Sequence, residues 1–194
     1  MSEAEAPARR PALDVRVGSS THGLRPISAA ERSLGAGLSQ WLSLGAVAVA
    51  AVAADQATKQ IVASQLSFGH SVHVAGPFSL HHVQNTGIAF GLFPNSTALI
   101  ALLTAVAVAW MIWFFARSGS RHPVLPTALG LLIGGSVSNL ADRIRIGHVT
   151  DFLDVRYWPA FNLADAFICV GVLILLLTLV RADREPRRAR GPRS

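Results

Sequence analysis

Cysteine is nearly absent: Cys169 stands alone among 194 residues. That excludes an internal disulfide framework and a Cys-based zinc site. Cys169 lies in an apolar run and reads as an inert packing residue. Charge is the second scarcity. Asp, Glu, Lys and Arg make up 14% of the chain, against about 25% in an ordinary soluble domain. Of 28 charged side chains, 9 fall in residues 1–41 and 8 in residues 181–194, which leaves 11 for the 139 residues between. Residues 60–116 carry none. Water wets an uncharged stretch of 57 residues poorly, and bilayer lipid is the solvent that suits it. The net charge of +6 comes mostly from two Arg-rich ends, so a basic face interleaved with aromatics, as nucleic-acid binding requires, is excluded as well.

What is present is apolar and segmented. A hydrocarbon core about 30 Å thick needs about 20 mostly apolar residues per helix. Segments 42–62, 97–116, 124–142 and 164–180 approach this, with Pro123 and Pro126 near the start of the third, where a helix tolerates proline. The predicted fold is an all-α membrane protein with four transmembrane helices and a small extracytoplasmic cap of short strands and loops. Residues 1–40 read as a disordered tail, 41–180 as the membrane domain and 181–194 as a second basic tail. An export-signal reading of Leu42–Ala54 conflicts with the long polar stretch before it and the spans after it. Five arginines in the first tail, Arg117 and Arg121 in the 117–123 loop, and six in the last tail put both ends inside. Arg143, Arg145 and Arg156 then lie on the wrong side, which points to local pairing with acids or lipid headgroups. Residues 71–84 alternate in the manner of short strands. Phe152, Val155, Tyr157, Trp158 and Phe161 suit a membrane–water boundary.

The domain holds five carboxylates: Asp55, Asp142, Asp151, Asp154 and Asp165. A charge within a span is costly and is a functional hypothesis by default. At 1.5 Å per residue, Asp55 lies roughly 26 Å along the first span, Asp142 about 27 Å along the third and Asp165 about 22 Å up the fourth from its inner end. Three acids on three helices thus reach one level under the outer surface. Asp151, in the loop before the fourth span, is close enough in sequence to fold back on Asp165. Asn139 and Asn162 each precede an aspartate by three, on the same helix face, so each can bond its own acid or orient a neighbour. No serine–histidine pairing and no Gly-x-Ser-x-Gly turn is evident. Two carboxylates sharing one proton remain as the strongest chemistry: one activates water while the other protonates a scissile carbonyl.

Four ordered blocks sharpen this. Asp55-Gln56-Ala57-Thr58-Lys59, Asn85-Thr86-Gly87-Ile88-Ala89-Phe90-Gly91, Gly134 to Arg143 followed by Gly147-His148-Val149-Thr150-Asp151-Phe152, and Phe161-Asn162-Leu163-Ala164-Asp165 occur in sequence. Together they resemble the lipoprotein signal peptidases, the type II signal peptidases of bacteria, over about residues 40–180. The resemblance implies an aspartic endopeptidase of the cell membrane. Such an enzyme cuts the signal peptide from a diacylglyceryl-modified prolipoprotein just before the lipidated cysteine. By position it implies a catalytic pair at Asp151 and Asp165. It also implies site-supporting or substrate-binding roles for Asp55, Asn85, Gly87, Asn139, Arg143, Asn162 and Ala164. It implies no metal, no cofactor and no need for more than a monomer, with membrane lipid and the lipidated precursor as partners. Ser136, Ser138 and Ile88 depart from the family's usual small residues, and Ser138 adds bulk beside Asn139.

Plainer roles stand beside these. Asp142-Arg143 reads equally as a helix cap with a salt bridge, Asp154 as a surface residue, and Asp55 with Lys59 as a helical ion pair. His70, His73, His81 and His82 read as polar positions of the cap. Two rival functions remain open at this stage. An ion-coupled transporter predicts acids spread through the membrane's depth, and a non-enzymatic scaffold predicts that Asp151 and Asp165 are dispensable. A presenilin-type protease is disfavoured because its Gly-x-Gly-Asp signature is absent.

Overall fold

The structure is a computed structural model that describes residues 36–87, 96–118 and 123–188, with side chains as far as Arg181. The expected disordered tail to residue 35, Ile88 to Gly91 of the second block, Arg121 and the last six residues lie outside the described residues. Four long helices and four strands follow in the order α1 (Leu38–Gln65), β1 (Ser71–Ala75), β2 (Phe78–Asn85), α2 (Thr97–Ser118), α3 (Leu125–Ile146), β3 (Val149–Val155), β4 (Trp158–Phe161) and α4 (Leu163–Arg188).

By length and composition, α1, α2 and the Leu163–Arg181 part of α4 suffice to cross a bilayer. Helix α2 shows why: Leu99, Leu102, Leu103, Val106, Trp110, Ile112 and Trp113 are all exposed. An apolar face of that extent needs a covering other than water. Helix α3 is of a different kind. Gly130, Gly134, Gly135, Ser138, Asn139 and Asp142 make it too polar to meet the same standard, yet all six are buried. It is the central element, packed against α1, α2 and α4, and protein rather than lipid surrounds it.

Small residues let it sit there. A Cβ on Gly134 would come within 2.8 Å of Ala51 Cβ and 2.7 Å of the Ala48 carbonyl oxygen. One on Gly135 would come within 2.5 Å of the Ala164 carbonyl oxygen. Side chains at these two positions would wedge α1 and α4 away from α3. Below them Leu44, Val108, Phe115, Leu125, Leu129, Leu132 and Ile133 form the apolar core. Trp41 meets Phe115 edge to face at 4.9 Å.

Helix ends carry the chain into the cap. Pro126 stands in the first turn of α3, and Gly147, at φ 77°, ends it in the left-handed conformation that glycine adopts without strain. The chain then runs directly into β3. The cap is one four-stranded antiparallel sheet of order β1-β2-β3-β4. Sequence alternation anticipates β1 and β2. It does not anticipate β3 and β4, which were expected as aromatic loop. The first four residues of β3, Val149 to Phe152, are buried on both faces, so they read as a continuous run without a polar side.

Gly135→Val should destabilise the protein by about 1–3 kcal/mol through overpacking, read as a lower melting temperature in detergent. Gly45→Ala, inside α1 where nothing lies within 4 Å of the added methyl, should leave melting unchanged or raise it, since alanine is the better helix former. Equal effects would contradict the close α3–α4 approach.

Candidate active site

The register of the sheet places Asp151. Val83 of β2 pairs with Asp151 of β3, and Asn85 pairs with Val149 two residues along. Asn85 is thus a diagonal neighbour of Asp151, and its Nδ2 donates to Asp151 Oδ2 at 3.0 Å. Its own Oδ1 accepts the Gly87 amide at 3.0 Å, which fixes the amide's orientation.

A helix cap places Asp165. Asn162 Oδ1 accepts the Asp165 amide at 3.0 Å, and Asp165 Oδ2 accepts the Asn162 amide at 3.2 Å. This reciprocal arrangement closes the first turn of α4. Asn162 also reaches across to β3, where its Nδ2 donates to Asp151 Oδ1 at 2.7 Å. One wholly buried asparagine therefore holds both aspartates. Asn139 of α3 donates from Nδ2 to Asp165 Oδ1 at 2.8 Å. Asp151 and Asp165, with Asn85, Asn139 and Arg143, line one cavity of about 460 Å³, whose other walls are largely apolar: Val149, Trp158 to Phe161, Ala166, Ile168 and Cys169.

Burial pushes the Asp151 carboxyl up to about 6, and the nearby Asp165 charge adds to the rise. The Asn85 and Asn162 donors and the more distant Lys59 ammonium oppose it by favouring the charged form.

Beneath the pair lies a second layer. Lys59 Nζ is 2.7 Å from Asp55 Oδ2, 2.7 Å from Asp142 Oδ2 and 2.8 Å from Asn139 Oδ1. Asp55 Oδ1 accepts the Ala164 amide at 2.8 Å, and its Oδ2 accepts Ser138 Oγ at 2.7 Å. Gln56 Nε2 donates to Ser138 Oγ at 3.0 Å and to Asp142 Oδ1 at 2.8 Å. Arg143 Nη2 donates to the Gly87 carbonyl at 3.0 Å and so ties the end of the β2 segment to α3.

All the expected site residues therefore meet. Asp55, Asn85, Gly87, Asn139, Arg143, Asp151, Asn162, Ala164 and Asp165 belong to one connected set. Asp154 stands outside it, 3.6 Å from His81. The even choice between cap and substrate role for Asp142-Arg143 divides: Asp142 pairs with Lys59, while Arg143 lines the cavity. Cys169 is exposed and lines the cavity, which corrects its reading as a packing residue. It follows Asp165 by four residues, so one helix face carries both. Sequence reasoning missed Gln56, Ser138 and the reach of Lys59. A lone cation in an otherwise apolar span was the available signal. Among the described residues, no three His, Cys, Asp or Glu side chains gather as a metal site.

Comparisons with known proteins agree on one family. A family model described as signal peptidase (SPase) II matches residues 47–181. The lipoprotein signal peptidase of Symbiobacterium thermophilum is 42% identical over 145 residues, covering 72% of this chain and 95% of that protein. That of Pelotomaculum thermopropionicum is 41% identical over 138 residues, covering 70% and 91%. A solved bacterial membrane enzyme superposes with a TM-score of 0.69 at 26% identity, covering 76% of this chain and 91% of its own.

Removing a donor from an ionised carboxylate disfavours its charged form. Asn85→Ala should therefore move the Asp151 midpoint upward from about 6. Carboxyl NMR titration of Asp-labelled protein in detergent measures it, and a downward move would contradict the assigned hydrogen bond.

Proposed function

Since the chain belongs to the signal peptidase II family, we propose that it is an aspartic endopeptidase with Asp151 and Asp165 as its catalytic pair. It removes the signal peptide of diacylglyceryl-modified prolipoproteins, cutting before the lipidated cysteine. Two carboxyls held by one asparagine carry a single proton between them, because ionising both in one desolvated site is costly. The ionised member takes a proton from a water, whose oxygen attacks the scissile carbonyl carbon. The protonated member gives its proton to the carbonyl oxygen. When the tetrahedral intermediate collapses, the C–N bond breaks and the leaving amine takes the proton gained from water. A hydroxyl of the intermediate gives its proton to the other carboxylate, so the pair again holds one. The observation that carries this reading is the Asn162 bridge, which joins both carboxyls at one cavity.

The same reading makes α3 the fourth span. Its 22 residues reach about 33 Å at 1.5 Å each, enough for the hydrocarbon core, and its polar face is covered by α1 and α4. Residues 41–180 form the membrane peptidase domain, flanked by basic tails that lie on the cytoplasmic side of the bacterial membrane under the positive-inside bias. The C-terminal ends of α1 and α3 and the N-terminal end of α4 then face outward, with the pair near the outer leaflet. The apolar walls of the cavity suit a substrate delivered from lipid, and Arg143 supplies a donor for its backbone. One chain supplies every group this chemistry uses.

Purified protein should cleave a synthetic prolipoprotein peptide carrying diacylglycerol. Asp151→Asn and Asp165→Asn should each lower kcat by about 10²–10⁴-fold, followed by chromatography of the two products. The peptide without diacylglycerol should react far more slowly. Either variant cleaving at the native rate would remove the pair from the mechanism.

A further inference from the structure

Lys59 touches no reacting group in the mechanism above, yet its buried ammonium lies within 2.8 Å of three fixed partners, Asp55, Asp142 and Asn139. We propose that Lys59 is a positioning residue for the reaction: by holding Asn139 Oδ1, it turns the Asn139 amide so that Nδ2 faces Asp165. The proposal rests on the two-aspartate reading and adds to it the group that orients one of its partners.

The two ends of an asparagine amide are close in size and opposite in hydrogen-bonding sense. Which end meets Asp165 is therefore decided by what surrounds the other end. Two donors converge on Asn139 Oδ1, Lys59 Nζ at 2.8 Å and Asn162 Nδ2 at 3.1 Å. Only Nδ2 is left, and it lies 2.8 Å from Asp165 Oδ1. Turned the other way, the amide would set oxygen against the Asp165 carboxylate and NH₂ against an ammonium. Of the two donors the charged one binds more strongly.

Lys59 is itself held from two sides, by Asp55 of α1 and Asp142 of α3. Its side chain is 5% exposed, so it does not swing away into water. The charged groups around it are Asp55 on its own helix, Asp142 and Arg145 on α3, both of which line a cavity with it, Asp151 on β3 and Asp165 on α4. The Lys59 charge also favours the ionised form of Asp151, so its loss moves the Asp151 titration toward higher pH. That effect acts through space whatever the residue's role, so the orientation of Asn139 is read from kcat against KM.

Lys59→Met alone strands two buried carboxylates, so the test places it in an Asp142→Asn background and compares the double variant with Asp142→Asn itself. Both are assayed on the diacylglyceryl-peptide across pH, with melting temperature measured alongside. Asp142→Asn keeps Lys59 on Asp55 and Asn139 and is the reference against which the double variant is read. The double variant should lose about 100-fold in kcat with KM nearly unchanged, and its alkaline limb should move upward. A kcat equal to that of Asp142→Asn, or a loss carried by KM alone, overturns the proposal.

If the double variant does not fold, Asn139→Leu tests the second link. It offers Asp165 no donor and brings no new charge into the cluster. It should lose about 100-fold in kcat with KM nearly unchanged; near-native turnover overturns the proposal. The outcomes separate cleanly from failure of the parent reading. An active Asp165→Asn removes the dyad, whereas an inactive Asp165→Asn with no fall in kcat on adding Lys59→Met removes only the role of Lys59.

Discussion

Asp55 is wholly buried and divides its two oxygens among three helices. Oδ1 takes the Ala164 amide of α4, while Oδ2 takes the Ser138 hydroxyl of α3 and the Lys59 ammonium of its own helix, α1. One member of the proposed catalytic pair, Asp165, is hung from that junction. Ala164 is the residue before Asp165, so the Asp55 bond sets the height and rotation of the first turn of α4. A buried charge left without partners is strongly unfavourable, and the gain from a complete set of partners roughly offsets the cost of desolvation. Such a cluster adds little net stability. What it adds is intolerance of near misses, because any helix shift that breaks one contact exposes the full desolvation penalty of the rest.

The chemistry above the junction is tuned by neutral groups. Asn85, Asn139 and Asn162 supply three of the four donors to the two aspartates, and the backbone of Asn162 supplies the fourth. A lysine or arginine in direct contact would hold both carboxyls ionised and leave no proton to share. Amides support negative charge without imposing it, while burial pushes the other way. The balance leaves Asp151 at about 6, where a carboxyl can both take and release a proton. The cations stay one residue removed: Lys59 behind Asn139, and Arg143 on the Gly87 carbonyl.

Much of this was readable from spacing. Asn162 and Asp165, three apart at a helix start, announce a reciprocal cap, and the acids on three helices converge at one depth. Asn139 shows where spacing stops short. It stands three before Asp142, but its donor goes to Asp165 on another helix, a choice made by tertiary packing. Helix α3 misleads a hydropathy reading in the other direction. Its polar residues face protein, and no local window registers which neighbours will cover them. Strand β3 was hidden because Val149 to Phe152 are covered on both faces and so lack a period of two; β4 is a four-residue edge strand, exposed at Trp158 and Pro159, too short to show one. Ser138 looked like excess bulk beside Asn139. Its hydroxyl fills the gap between Asp55 and Gln56, and a serine that finds two partners costs no more room than it uses.

Helix α3 has a consequence for biogenesis. A segment carrying Asn139, Asp142, Arg143 and Arg145 partitions poorly into lipid by itself. With α3 as the proposed fourth span, its residence in the bilayer leans on α1, already inserted when it emerges, whose Asp55 and Lys59 meet Ser138, Asn139 and Asp142. Helix α4 leaves the ribosome after these three, and until it arrives Asp55 lacks the Ala164 amide and Asn162 has not yet joined the two halves. Nascent chains thus hold no assembled site, and proteolytic competence begins only with the docking of α4.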